Sequence, residues 1–183
     1  MNWYVLFVRA GKEQSVEHLL KTWLNSYGFL PFIPMNERIF KNSGIIKKEL
    51  KPLFPGYVFI ESELSSPDFI RIINPLIHSS NNIIRLLRYS DSEFSVREAE
   101  KNMLLKLYND DYCIESSSGI MVGDRIIVTD GPLIGCESKI KKLNRHKREA
   151  WIEIEFMGDK RLVNVSLQVV ERIVGKDRVG CNS

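Results

Sequence analysis

Residues 52–60, Pro52-Leu53-Phe54-Pro55-Gly56-Tyr57-Val58-Phe59-Ile60, crowd three aromatic rings around a Pro-Gly turn that runs straight into a strand. A core alone needs only alternate residues on one face. Here Phe54 and Tyr57 bracket a turn in which Pro55 fixes φ and Gly56 admits positive φ. Such a turn can hold apolar rings beside a partner, and Phe54, just ahead of it, is expected at an exposed rim. Phe59, in mid-strand, suits either a core or that same surface.

Outward from this stretch, strands and helices alternate. Residues 3–8 form an apolar run suited to a buried strand, and residues 12–27 carry Val16, Leu19, Leu20, Trp23, Leu24 and Tyr27 at helical spacing, with Gly28 as the cap. Residues 32–41 and 45–50 are expected as a hairpin with a basic tip, turning at Asn42-Ser43-Gly44, and residues 57–61 as the next strand. Ser66-Pro67-Asp68 has the signals of a helix start and Asn74-Pro75 those of its stop; residues 83–87 follow as a strand. Ser95-Val96-Arg97-Glu98 has the form of a capping box opening a helix to about residue 108, with Val96, Ala99, Met103 and Leu107 on one face. Residues 1–108 are therefore expected to make one α+β domain.

Residues 109–119 turn polar, ending in Ser116-Ser117-Ser118-Gly119, and read as a linker that lets two domains move as independent beads. Residues 120–174 hold five short β-rich runs, at 125–129, 138–143, 150–156, 161–165 and 169–173. They are separated by Asp130-Gly131-Pro132, a basic loop, Gly158-Asp159 and a Ser166-Leu167 corner, the pattern of a small barrel. Residues 175–183 are expected to be a frayed tail.

At 183 residues, 44% hydrophobic and 27% charged, the composition fits a globular chain and excludes disordered and collagen-like classes. The apolar run at 3–8 is too short to span a membrane and has neither a basic flank before it nor a small-residue cleavage site, so a cytoplasmic location is expected. Cys113, Cys136 and Cys181 are odd in number and widely spaced, which predicts three free thiols rather than disulfides or structural zinc.

Trp3-Tyr4 in the first strand, Phe54-Pro55-Gly56-Tyr57, and Val122-Gly123-Asp124 through Asp130-Gly131-Pro132 stand in an order and spacing that resembles the NusG family of transcription elongation factors. The resemblance covers almost the whole chain. It implies a NusG N-terminal domain, with an antiparallel sheet flanked by helices, followed by a KOW domain built as an SH3-like barrel. It also implies a partner, the clamp helices of bacterial RNA polymerase, bound in an apolar depression. The positions matching that depression are Phe54, Tyr57 and Phe59, with Tyr4 and Ile84 as neighbours. Where housekeeping members carry aromatics in the KOW domain, this chain has Leu133, Cys136 and Met157, and Ser138 replaces a usual glycine. Contacts to ribosomal protein or to the Rho termination factor are thereby put in doubt, and the pattern fits a specialised antitermination paralogue. The alternatives are a housekeeping elongation factor and, in another class, a ribosome-associated RNA-binding protein.

The net charge of +3 decides little, but its distribution is uneven. Lys139, Lys141, Lys142, Arg145, Lys147 and Arg148 stand against only Glu137 and Glu149 in residues 137–149, leaving the rest of the chain near neutral. Projecting from a barrel, Arg145, Lys147 and Arg148 could meet phosphates or guanine edges and Asn144 an adenine, with His146 beside them and Lys141 and Lys142 as background. Nascent RNA with a structured leader element is the expected partner. A solvated hairpin and a sequence-independent phosphate contact are the plainer readings. His18, His78 and His146 share no Cys or carboxylate at metal-ligand spacing, and no phosphate loop or nucleophile elbow is present, so neither cofactor, metal nor enzymatic activity is implied. A monomer is expected.

Overall fold

Adjacent residues in an extended strand face opposite ways, and Trp3 and Tyr4 use this to seed two cores on one sheet. The computed structural model describes residues 1–24, 27–42 and 45–173. In it β1 (Asn2–Val8) lies between β5 (Tyr57–Ser62) and β6 (Ile83–Leu86), and β2 (Leu30–Phe32) adds outside β5. All three pairings are antiparallel. On the Tyr4 face, α1 (Glu13–Leu24) and α2 (Ser66–Ser79) bury Val16, Leu20, Phe69 and Ile73 against Leu6, Val58 and Ile60. The Trp3 face, with Val5 and Phe59, meets α3 (Glu98–Leu105) and, beyond it, the second unit.

That second unit is a five-stranded sheet of order β10-β11-β12-β8-β9. Its strands are β8 (Ser117–Val122), β9 (Arg125–Asp130), β10 (Ile140–Asn144), β11 (Glu149–Phe156) and β12 (Asp159–Ile173), with a 3-10 turn at Glu137–Lys139. The long β12 joins the two halves. Its first part pairs antiparallel with β11 and its last part parallel with β8, so Ser166-Leu167 is a continuation and not the expected corner. The alternation Ala150, Ile152, Ile154, Phe156 is buried along its whole length. A small third sheet, β4-β3-β7, is made by β3 (Met35–Asn42), β4 (Ile45–Pro52) and β7 (Cys113–Ile114).

The structure corrects several expectations. Residues 109–119 are not a free linker: β7 pairs parallel with β3 at Met35 and Asn36, Cys113 and Ile114 are buried, and β8 begins at Ser117. The Ser116 N–H donates to Glu37 Oε2 at 3.1 Å. Burial opposes ionisation of Glu37, but this N–H and the Lys48 ammonium outweigh it and hold the carboxyl below its usual range. Helix α2 runs through Pro75, because Pro75 lies on the exposed side while Ile73 and Leu76 are buried; packing of that face outweighs the lost backbone bond. His78 therefore sits in the last turn of α2 instead of a loop. Helix α3 starts at Glu98 with Arg97 at its N-cap and no side-chain cap bond, so the capping box at Ser95 does not form. Its buried positions are Glu100 and Leu104, and Ala99 is exposed. In α1 the buried stripe is Glu13, Val16, Leu20 and Leu24, which leaves Trp23 at 62% exposure on its edge. The tip of the expected basic hairpin (residues 43–44), Cys181 and the tail lie outside the described residues; Cys113 and Cys136 are free thiols.

Gly119 shows how tightly the start of the second unit is packed. A Cβ there would stand 2.5 Å from the Ile127 carbonyl oxygen and 3.1 Å from Val128 Cα, both backbone atoms that cannot turn away. We expect Gly119→Ala to destabilise the second unit by about 2 kcal/mol or more, measured by denaturant unfolding. An unchanged midpoint would contradict the strand pairing of β8.

Candidate functional site

The turn at 52–60 forms as its residues dictate. Gly56 takes φ +85°, and its N–H donates to the buried Glu13 Oε1 at 2.7 Å, so the start of α1 fixes the loop. Strand β5 then leaves the turn with Phe59 on the Trp3 face. Trp3 packs edge-on against Phe32 and Phe59, and its indole N–H donates to Glu61 Oε2 at 2.7 Å. Phe54, Tyr57 and Phe59 converge at one end of this face.

The two other nominated positions do not join them. Tyr4 points to the opposite side of the sheet, where its ring stacks on Phe69 at 3.7 Å and its hydroxyl donates to the Leu64 carbonyl, so it is a core residue. Ile84 is exposed on β6, beside Ile77, Arg85 and Phe94. The expectation of an exposed Phe54 is also corrected, for it is only 4% exposed. What buries it is the second unit.

Phe156, at the end of β11, stacks on Phe54 with ring centroids 4.4 Å apart and planes at 18°. It meets Phe59 at 5.5 Å and stands edge-on to Tyr57 at 5.6 Å. Arg161 of β12 lies across both the Tyr57 and the Phe156 rings, and its Nη1 donates to the Tyr57 hydroxyl at 2.9 Å. The units are docked, not independent beads.

Polar contacts flank this aromatic centre on two sides. On one, the buried Glu100 carboxylate accepts the N–H groups of Met157 and Gly158, each at 3.0 Å, from the tight β11–β12 turn, where Met157 takes φ +52° and Gly158 φ +81°. Tyr89 also donates to Glu100; burial, and then this bond to a carboxylate, push the Tyr89 phenol well above its usual range. On the other side, Arg38 Nη2 reaches Glu149 Oε1 at 3.1 Å, and the Ile39 N–H donates to Ser166 Oγ at 3.0 Å. This second edge is incompletely paired. Among the described residues Asn36 Oδ1, Arg38 Nη1 and Asn164 Oδ1 are buried without a hydrogen-bond partner. A cleft of about 640 Å³ opens beside it, lined from both units by residues including Pro52, Pro55, Trp151 and Leu162.

The basic loop is the turn between β10 and β11. Arg145, His146 and Lys147 are exposed, while Asn144 and Arg148 are half-buried. Asn144 Oδ1 accepts the Lys147 N–H at 3.1 Å, so the side chain expected to read an adenine has its acceptor engaged in shaping the loop. Lys142 lies 4.9 Å above the Trp151 ring, and Lys141 faces Glu153 at 3.9 Å, which leaves Arg145, His146 and Lys147 as the outward group. Arg172 of β12 lines a shallow depression with Arg145 and His146 and extends the cationic surface.

Sequence reasoning missed Phe156, Arg161, Glu100 and the Arg38–Glu149 pair. A glutamate on the apolar side of α3 is the one local anomaly that marks Glu100; nothing local marks the others. Among the described residues there is no group of His, Cys, Asp or Glu that could hold a metal, and no helix is long and apolar enough to cross a membrane.

Residues 1–105 match the family described as "Transcription termination factor nusG". The chain is also 21% identical over 182 residues to the "Transcription termination/antitermination protein NusG" of Helicobacter pylori strain ATCC 700392 / 26695, covering 95% of this chain and 99% of that protein. The protein of the same name from strain J99 / ATCC 700824 matches to the same extent.

If Phe156 holds the dock, Phe156→Ala should release the second unit. We expect nuclear Overhauser contacts between the units to vanish and the radius of gyration in solution scattering to rise. Glu100→Ala, which removes the carboxylate acceptor of two part-buried N–H groups at about 1 kcal/mol or more for each lost bond, should act in the same direction without touching the interior of the second unit. Retention of the contacts in both variants would contradict this role.

Proposed function

The chain belongs to the NusG family of transcription factors, and from that premise we propose that it is an elongation and antitermination factor. Its first domain (residues 1–108) grips RNA polymerase with the face of Phe54, Tyr57 and Phe59. Its KOW domain (residues 120–174) binds nascent RNA through Arg145, His146, Lys147 and Arg148. Tyr4 and Ile84 have no part in this grip.

The single observation that carries the reading is the aromatic face itself, three convergent rings whose cover is held partly by an under-paired polar edge. Rings of this kind in a desolvated pocket dominate the binding energy of an interface. The covered face and a bound polymerase exclude each other, so the second unit must leave before the factor engages. Action then follows from binding without catalysis: a ligand that prefers the elongating conformation shifts the population toward it. The site of action is cytoplasmic, with the transcription machinery. The specialised role is supported by Leu133, Cys136 and Met157 in place of aromatics; Leu133 is fully buried, which leaves it no outward contact to make.

The test is polymerase affinity measured on folded variants. Phe156→Ala should bind core RNA polymerase more tightly than the parent, because the face starts uncovered. Adding Phe54→Ala to that variant should weaken binding by about 2 kcal/mol. Equal affinity of the single and double variants would remove Phe54 from the interface.

A further inference from the structure

The basic loop and the weak edge of the dock are parts of one local structure. Glu149 follows Arg148 directly, pairs with Asn144 across the β10–β11 turn, and pairs with Ser166 across β11–β12. Glu149 and Ser166 are the two residues of the second unit that Arg38 and Ile39 of β3 hold. Arg148, with φ +54°, closes the loop, and its carbonyl accepts the Leu167 N–H at 3.0 Å. The base of the cationic loop is therefore also one of the polar grips of the dock.

Resting on the RNA reading above, we propose that RNA bound at residues 144–148 releases the second unit by breaking the Arg38–Glu149 pair. A phosphate seated on Lys147 and Arg148 stands next to the Glu149 carboxylate, a like charge in a half-buried place. It also offers Arg38 a better acceptor. Arg38 now donates to Glu149 through Nη2 alone, with Nη1 unpartnered among the described residues, whereas a phosphate takes both arms of a guanidinium. Asn36 and Asn164, two more groups with an unpaired buried oxygen, stand on the β3 and β12 strands of this same edge and give it little resistance. The Glu100 side, where both turn N–H groups are satisfied, shares a cleft with Lys139, Lys141 and Lys160 but not with residues 144–148, and lets go only when the whole unit moves. Transcript binding would then uncover the polymerase face on the factor that has found its RNA. Linkage makes the effect reciprocal: whatever opens the dock tightens RNA binding by the same factor.

The experiment uses the full chain and a short mixed-sequence RNA hairpin at low ionic strength, followed by amide resonances. The amides of Met157 and Gly158, bonded to Glu100, report the dock from the side away from the loop. We expect RNA to shift the loop amides and, in parallel, to move Met157 and Gly158 toward their positions in Phe156→Ala. RNA should bind the neutral, undocked variants Phe156→Ala and Phe54→Ala at least about five-fold more tightly than the parent. In Glu149→Gln, RNA should still bind but its power to undock should fall. Loop shifts with Met157 and Gly158 unmoved, or equal RNA affinity in parent and both undocked variants, would overturn the coupling alone. No loop shift in any variant would overturn the RNA reading and the coupling together.

Discussion

The ring of Phe156 against Phe54, Tyr57 and Phe59 is the contact on which the rest of the arrangement depends. Three aromatic side chains on one sheet face are costly to leave in water, at about 1.5–3 kcal/mol for a ring of this size. The turn that carries them cannot turn them inward, since Gly56 is fixed by Glu13 and Val8 from behind. The face must be covered, and the chain supplies the cover from its own second unit. A partner that offers apolar groups to the same place competes with Phe156 for it.

The margin of that competition is small. Against the aromatic stack stand Asn36, Arg38 and Asn164, whose buried, unpaired polar atoms cost about 1–3 kcal/mol each. Ion pairs of the Arg38–Glu149 kind, partly exposed, add at most about 1 kcal/mol. Covalent connection favours closure. The chain between β7 and β8 is only Glu115 and Ser116, and Ser116 is itself tied to Glu37, so the released unit stays close to the face it left. Displacement of the second unit by a partner, as proposed, requires a balance of this kind.

Much of this was legible in the sequence, for physical reasons that also mark its limits. The Pro55-Gly56 turn, the strand at 3–8 and the Val16, Leu20 and Leu24 part of the α1 stripe follow from local rules, because φ preference and periodicity act over a few residues. Pro75 and Ser95 misled for the opposite reason: each is a strong local signal that tertiary burial, of Leu76 in one case and Glu100 in the other, outweighed. The segment 109–119 looked free because Cys113 and Ile114 are a lone apolar pair whose partner strand lies far away in sequence. The docked face was hidden for the same reason. By themselves Phe54 reads as an exposed rim and Phe156 as no more than the end of a β-rich run, and only the fold shows that each buries the other.

The most direct test of this account is amide hydrogen exchange at Met157 and Gly158 in the full chain, with and without RNA polymerase. Both N–H groups are sealed by Glu100 only while the second unit covers the aromatic face. Their protection should be lost when polymerase binds. Protection that persists in the polymerase complex would contradict it, for the face would then be covered and bound at once.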